Sequence, residues 1–313
     1  MRQLKMTDGA TFWLLLLTAI GFFVLAARLL LFAEYFHSAL LYIAVPFALS
    51  IGLYVFTPYT NGSTWKKRFW NNLRTCLIVI LASSLILMEG YVCVIMALPL
   101  FLIVLLFAFL TAYLWNNHGQ NSPKSYLLPV VIILSSLEGT APELTFNRYN
   151  EVSYSQVVDM DVATIRQRLQ QPIKFKGERH WLLSVFPMPT YVGTVQLKVG
   201  DIRQYDFVYH RWFVTNTKIG RLNVHFKEVG ETFVRTAITD SSYISGYMNL
   251  LGTDFRFEPI NERQTKVTLR VSFERLLDPL WYYQPLERFA VRKGAEYFIR
   301  EVLGADVGGG DHV

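Results

Sequence analysis

Residues 251–303 read LGTDFRFEPINERQTKVTLRVSFERLLDPLWYYQPLERFAVRKGAEYFIREVL. Phe255 and Phe257 alternate with Asp254, Arg256 and Glu258, and Val267, Leu269, Val271 and Phe273 alternate with Lys266, Thr268, Arg270 and Ser272. A period of two in side-chain character is that of a strand with one buried face. Pro259 to Arg263 supplies the turn between the two strands. After the aromatic corner DPLWYYQ, Pro285 suits the first position of a helix and Gly304 its end. Leu286, Phe289, Ala290, Gly294, Tyr297, Phe298 and Val302 form the apolar stripe of that helix, and Glu287, Arg288, Arg292, Lys293, Glu296 and Arg300 are its polar positions. Strands closed by a long amphipathic helix can enclose an apolar pocket. Gly294 costs about 1 kcal/mol in a helix interior, so a strand or a ligand is expected to pass close to it.

Moving toward the N-terminus, alternation recurs at the spacing of an antiparallel meander. Val195, Leu197 and Val199 share a face in TVQLKV, and Gly200-Asp201 is a turn signal. Arg203, Tyr205, Phe207 and Tyr209 share the next face. Gly220 separates WFVTNTKI from RLNVHFKEV, where Leu222, Val224 and Phe226 align and His225 takes the opposite side. ETFVRTAITD follows Gly230. Ahead of these, residues 146–161 read as a first strand, and Asp161 caps a short helix with Val162, Ile165 and Leu169 on one face, ended by Pro172. Residues 173–193 read as a long loop with a helical turn. Its Trp181, Leu182, Leu183, Val185 and Phe186 are either core packing or a gate.

Before residue 140 the pattern changes. The chain is 52% hydrophobic with a mean hydropathy of +0.27, and the excess is concentrated in this first part. Apolar runs at 11–33, 38–56, 73–89, 92–115 and 125–138 approach the length of about 20 residues that spans a bilayer as a helix. Lys66, Lys67, Arg68 and Arg74 place the intervening loop, and with it the N-terminus, on the cytoplasmic side. If the fifth run spans, the C-terminal domain lies outside the cytoplasm, the reading preferred here; if it lies in the interface, the domain is cytosolic. Arg28, Glu89 and Glu138 stand at run ends, where they snorkel, or else mark an ion path. The expected organisation is a helical transmembrane part of four or five helices (1–140), an α+β domain (141–304) and a disordered tail (305–313), in a multi-pass protein of the cell (inner) membrane.

Charge and cysteine content exclude several classes. There are 8 Lys/Arg against 4 Asp/Glu up to residue 140 and 22 against 20 after it, so no basic face points to nucleic acid. Cys76 and Cys93 both lie in apolar runs, so no disulfide framework is expected. His180, His210 and His225 lie apart without cysteine, which gives no metal spacing. No P-loop, dinucleotide-binding glycine pattern or nucleophile elbow occurs, and no cofactor is implied.

Four stretches carry a resemblance: the FPMPT turn (186–190), VGDIRQYDF (199–207), FRFEPINERQTKVTL (255–269) and DPLWYYQPLERF (278–289). With the order strand, short helix, meander, long C-terminal helix, residues 146–303 resemble the START-like (SRPBCC) superfamily on its polyketide cyclase/dehydrase-like branch. The resemblance covers about half the chain and implies the helix-grip fold, an antiparallel sheet wrapped on a long C-terminal helix. It also implies a deep apolar cavity for a lipid or another hydrophobic small molecule. Cavity candidates are Arg203, Tyr205, Phe207, Phe226, Phe255, Phe257, Tyr282, Phe289, Gly294, Tyr297 and Phe298. Arg203 holds an anionic or carbonyl head group if its face is inward, and otherwise sits at the sheet rim. Three functions stay open: a membrane-anchored binder or carrier of a molecule drawn from the bilayer, a cyclase or dehydratase-like enzyme, and an assembly protein without a ligand.

Overall fold

The computed structural model describes residues 38–56, 67, 69–71, 73–78, 91–118, 124–173, 175, 178–184, 186, 188–192, 195–210 and 217–304. The expected span 11–33, most of the span 73–89, Arg28, Glu89, the WFVT stretch and the tail lie outside the described residues. The chain divides into two compact units, one drawn from residues up to Phe146 together with Leu277–Tyr282, the other from Asn147–Leu276 and Tyr283 onward.

In the first unit a π-helical turn, Leu40–Ala44, leads into α1 (Val45–Phe56), followed by α2 (Tyr91–His118) and α3 (Lys124–Ser135). α2 buries Leu100, Val104 and Ala108 on one side and exposes Leu102, Leu106 and Leu110 on the other. Among the described residues no helix is long and apolar enough to cross a membrane, which corrects the multi-pass, inner-membrane reading. α1 and α3 have 12 residues each, or about 18 Å of helix axis against a bilayer core of about 30 Å.

Glu138 does not stand free at a run end. It is buried, and its Oε1 accepts from Leu280 N at 2.9 Å, capping the first turn of α5 (Leu280–Leu303). Gly139 next to it has φ +77°, and a Cβ there would lie 2.0 Å from Asp278 Oδ2, so this turn requires glycine twice over.

The second unit is built on a seven-stranded antiparallel sheet: β1 (Tyr149–Val158), β2 (Pro189–Val192), β3 (Ile202–His210), β4 (Thr217–Val229), β5 (Phe233–Asp240), β6 (Met248–Pro259) and β7 (Thr265–Arg275). The spatial order is β1-β7-β6-β5-β4-β3-β2. α4 (Val162–Gln170), capped by Asp161 accepting from Thr164 N at 3.3 Å, and the second part of α5 pack on the buried face. This sheet closed by a long C-terminal helix is the helix-grip arrangement. On β7 the inward side chains are Val267, Leu269, Val271 and Phe273, all buried. Each stabilises by about 1.5–3 kcal/mol, and a slip of one residue would bring Lys266, Thr268, Arg270 and Ser272 inward instead.

Three strand assignments change. Residues 195–198 form no strand, although Val195 and Leu197 are buried as their parity predicts. The edge strand preceding β3 is β2, which begins at Pro189; an edge position tolerates the missing N–H. Gly220 is not a turn but lies inside β4, paired with Phe207. A Cβ there would be 2.5 Å from Ser242 Cα, so glycine serves close packing.

The closing helix also starts earlier than its sequence suggests. It begins at Leu280, and Pro285 lies within it. Phe289 is 43% exposed instead of facing the core, whereas Glu287, expected at a polar position, is fully buried. The inward side runs through Tyr283, Glu287, Ala290, Ala295, Ile299 and Val302.

Candidate functional site

The alternation that buries one face of the sheet does not fill it. Between the sheet, α5, the end of α4 and the side chains of Leu183, Phe186 and Met188 lies a cavity of about 310 Å³, at the lower end of the range for small-molecule pockets. β3 contributes Arg203, Tyr205 and Phe207; β4 Leu222, Val224 and Phe226; β5 Val234, Thr236 and Ile238. Phe255 of β6, Leu269 and Val271 of β7, and Ala290, Val291, Gly294, Tyr297 and Phe298 of α5 close it. Leu183, Phe186, Met188 and Pro189, from the apolar stretch that reads as core or gate, form one wall.

Aromatic contacts set part of the wall. Phe175 stacks on Tyr297 with ring centroids 5.9 Å apart and meets Phe298 at 6.2 Å, and Phe298 meets Phe255 at 6.0 Å. Burial pushes the Tyr297 hydroxyl above its ordinary pKa, reinforced by Glu301 and opposed by Arg179 and Arg300. The Arg300 guanidinium lies 5.3 Å from the Tyr297 ring centroid.

Polar groups on the lining are few. Thr236 and Thr253 satisfy each other through a 2.7 Å contact between their Oγ1 atoms. Arg203 is the charged exception. It is only 4% exposed, and its Nη2 donates to Leu169 O and, at 3.3 Å, to Gln171 O at the end of α4. Its Nε is buried and has no hydrogen-bond partner among the described residues. The neighbouring Tyr205 hydroxyl is pushed up in pKa by burial and pulled part of the way back by the Arg203 charge and a hydrogen bond from it. That phenol therefore stays protonated near neutrality and serves as a donor. Arg203 thus takes the inward position and not the rim.

Of the candidates named from sequence, Arg203, Tyr205, Phe207, Phe226, Phe255, Gly294, Tyr297 and Phe298 come together on the cavity. Three do not. Phe257 is 2% exposed and packs in the solid core with Ile165 and Val267. Tyr282 belongs to the first unit, where its hydroxyl donates to Met96 O at 2.5 Å. Phe289 faces outward beside His180, with ring centroids 5.4 Å apart. His225 lies on the outer face, as its parity implies, 3.3 Å from Thr239 Oγ1. Sequence reading missed Thr236, Ile238 and Thr253, although parity with Val234 along β5 marks the first two.

No protein-family model matches the chain, and no curated protein matches it. Solved structures do match over about half of it. A truncated norcoclaurine synthase from Thalictrum flavum is 10% identical, with a TM-score of 0.33 over 52% of this chain and 98% of that one. The aromatase/cyclase ZhuI from Streptomyces sp. R1128 is 13% identical, with a TM-score of 0.32 over 50% and 92%. A protein of unknown function from Staphylococcus aureus is 13% identical, with a TM-score of 0.32 over 50% and 95%. The helix-grip assignment stands on the strand order and closing helix, not on these scores.

Proposed function

We propose that the second unit is a START-like domain that binds a hydrophobic small molecule between its sheet and α5. The observation that carries this is an open cavity of about 310 Å³ walled almost wholly by apolar side chains. Protein interiors otherwise pack with few voids larger than a water molecule, and an open apolar volume forfeits contacts. A ligand that fills it restores them. The assembly role without a ligand expects a collapsed cavity, which is not what the side chains form.

Catalysis on such a ligand is a second reading, supported by the approach of Arg203 and Tyr205, two groups able to polarise a carbonyl. Acid–base chemistry also needs a proton acceptor. Among the described residues no Asp, Glu or His lines the cavity. Binding is therefore the function the geometry supports best.

Titration of the full chain with the neutral fluorophore N-phenyl-1-naphthylamine tests it. Saturable enhancement at one site per chain is expected, weakened by Val291→Trp, which narrows the cavity. A signal unchanged by that substitution locates the probe elsewhere and overturns the reading.

A further inference from the structure

A fixed positive charge with no carboxylate beside it among the described residues is an unusual thing to find on an apolar cavity wall. Guanidinium remains charged at any physiological pH, and burying a charge is costly unless it is paired. Among the described residues Arg203 Nη2 donates to two carbonyls at the C-terminal end of α4, and the guanidinium also hydrogen-bonds the neutral Tyr205 hydroxyl. That helix end carries partial negative charge, which offsets part of the cost and holds the side chain in place. It leaves the buried Nε–H without an acceptor among the described residues, on a residue that borders the open volume. Every other polar group on the lining is either neutral or already satisfied, so the deficit is one negative charge at one end of an apolar space.

We propose that the cavity's ligand is an amphipathic monocarboxylate, its apolar body in the cavity and its carboxylate on Arg203, with the Tyr205 hydroxyl as a second donor. A neutral carbonyl would accept the hydrogen bond but leave the charge uncompensated, whereas a carboxylate does both. The small volume and apolar walls leave no room for hydrated, multiply charged groups. This inference rests on the binding function proposed above.

The test is competition for N-phenyl-1-naphthylamine by decanoate and by decanol on the purified full chain at neutral pH. Decanoate is expected to compete at least about tenfold more tightly than decanol, since a charge-assisted hydrogen bond in a buried site is worth at least that ratio. In Arg203→Met the gap closes through loss of decanoate affinity, with decanol retained. In Arg203→Lys, which keeps the charge, part of the preference survives. Equal competition by both ligands in the unmodified protein overturns the carboxylate and leaves hydrophobic binding standing. Absence of probe binding overturns the binding function itself. The wild-type comparison decides the matter even if Arg203→Met does not fold, and a preference that persists undiminished in a folded Arg203→Met also overturns the assignment.

Discussion

Gly294 gives the sharpest separation between stability and binding. It lies well inside α5, where glycine is less favourable than alanine by about 1 kcal/mol. A Cβ built on it meets nothing within 4 Å, and it lines the cavity. No neighbouring atom among the described residues therefore requires glycine here, contrary to the close strand approach that the sequence allows. Gly294→Ala is expected to stabilise by about 1 kcal/mol, raising the melting temperature of the second unit by about 2–4 °C. Its methyl group leaves most of the cavity free, so probe binding persists. Gly294→Leu keeps the helix-propensity gain and adds an isobutyl group that reaches into the open volume, where each buried methylene contributes up to about 0.8 kcal/mol. It should be at least as stable as the unmodified chain and should lose probe binding. Differential scanning calorimetry and the fluorophore titration read the two effects on the same samples. A Gly294→Leu variant that melts higher yet binds as well as the unmodified protein would refute the placement of the ligand. A Gly294→Ala variant that melts lower would refute the claim that the glycine is kept for space alone.

Other substitutions probe the frame of the site. Thr265 is fully buried and its Oγ1 donates to Met160 O at 2.8 Å; Thr265→Val should cost about 1–2 kcal/mol in urea unfolding, and an unchanged midpoint would show that this bond contributes nothing net. At Gly252, beside the β6 bulge, a Cβ would lie 2.3 Å from Thr236 O, a backbone atom that cannot swing away; Gly252→Ala should destabilise by about 1–3 kcal/mol, and a neutral result would mean the β5–β6 pair shifts freely. Hydrogen bonding to Thr164 holds the Asp161 carboxyl below the usual carboxylate range, so its contribution is present above its unfolded pKa of about 3.9 and is lost as pH falls through the lower folded value. Melting temperatures of the unmodified chain and Asp161→Ala should therefore differ at pH 7 and converge in acid; a gap that is constant down to pH 2.5 would contradict the capping role.

Much of the sheet was legible because its period is an integer. Tyr205 and Phe207, Leu222 and Phe226, Phe255 and Phe257, and the β7 series all point inward as alternation requires. Parity reports which side is buried and not whether a neighbouring strand exists. Val195 and Leu197 are therefore correctly placed inside, while the stretch that holds them has no ladder. Gly220 was misjudged for a related reason, since glycine marks a close approach as readily as a turn. The start of α5 was not readable at all. Its cap is Glu138, which lies 142 residues away in sequence from Leu280, and no local pattern announces a cap at that distance. A stripe counted from Pro285 takes in Phe289 for its hydrophobicity and leaves out Glu287 for its charge, whereas the helix that starts at Leu280 exposes the first and buries the second.

Charged residues on the strands follow position in the same way. Parity places Arg203 with Tyr205 and Phe207, and Arg275 with Phe273, and both arginines are buried. Geometry decided these positions, and residue chemistry did not override it. A charged residue at inward parity is thus a signal in its own right, because burial of charge must be compensated from somewhere. The two arginines then separate by what surrounds them. Arg275 is fully buried and does not border the cavity, so its charge is a matter for the fold. Arg203 borders open space and keeps a buried N–H without an acceptor among the described residues, which is why the proposed carboxylate is placed there.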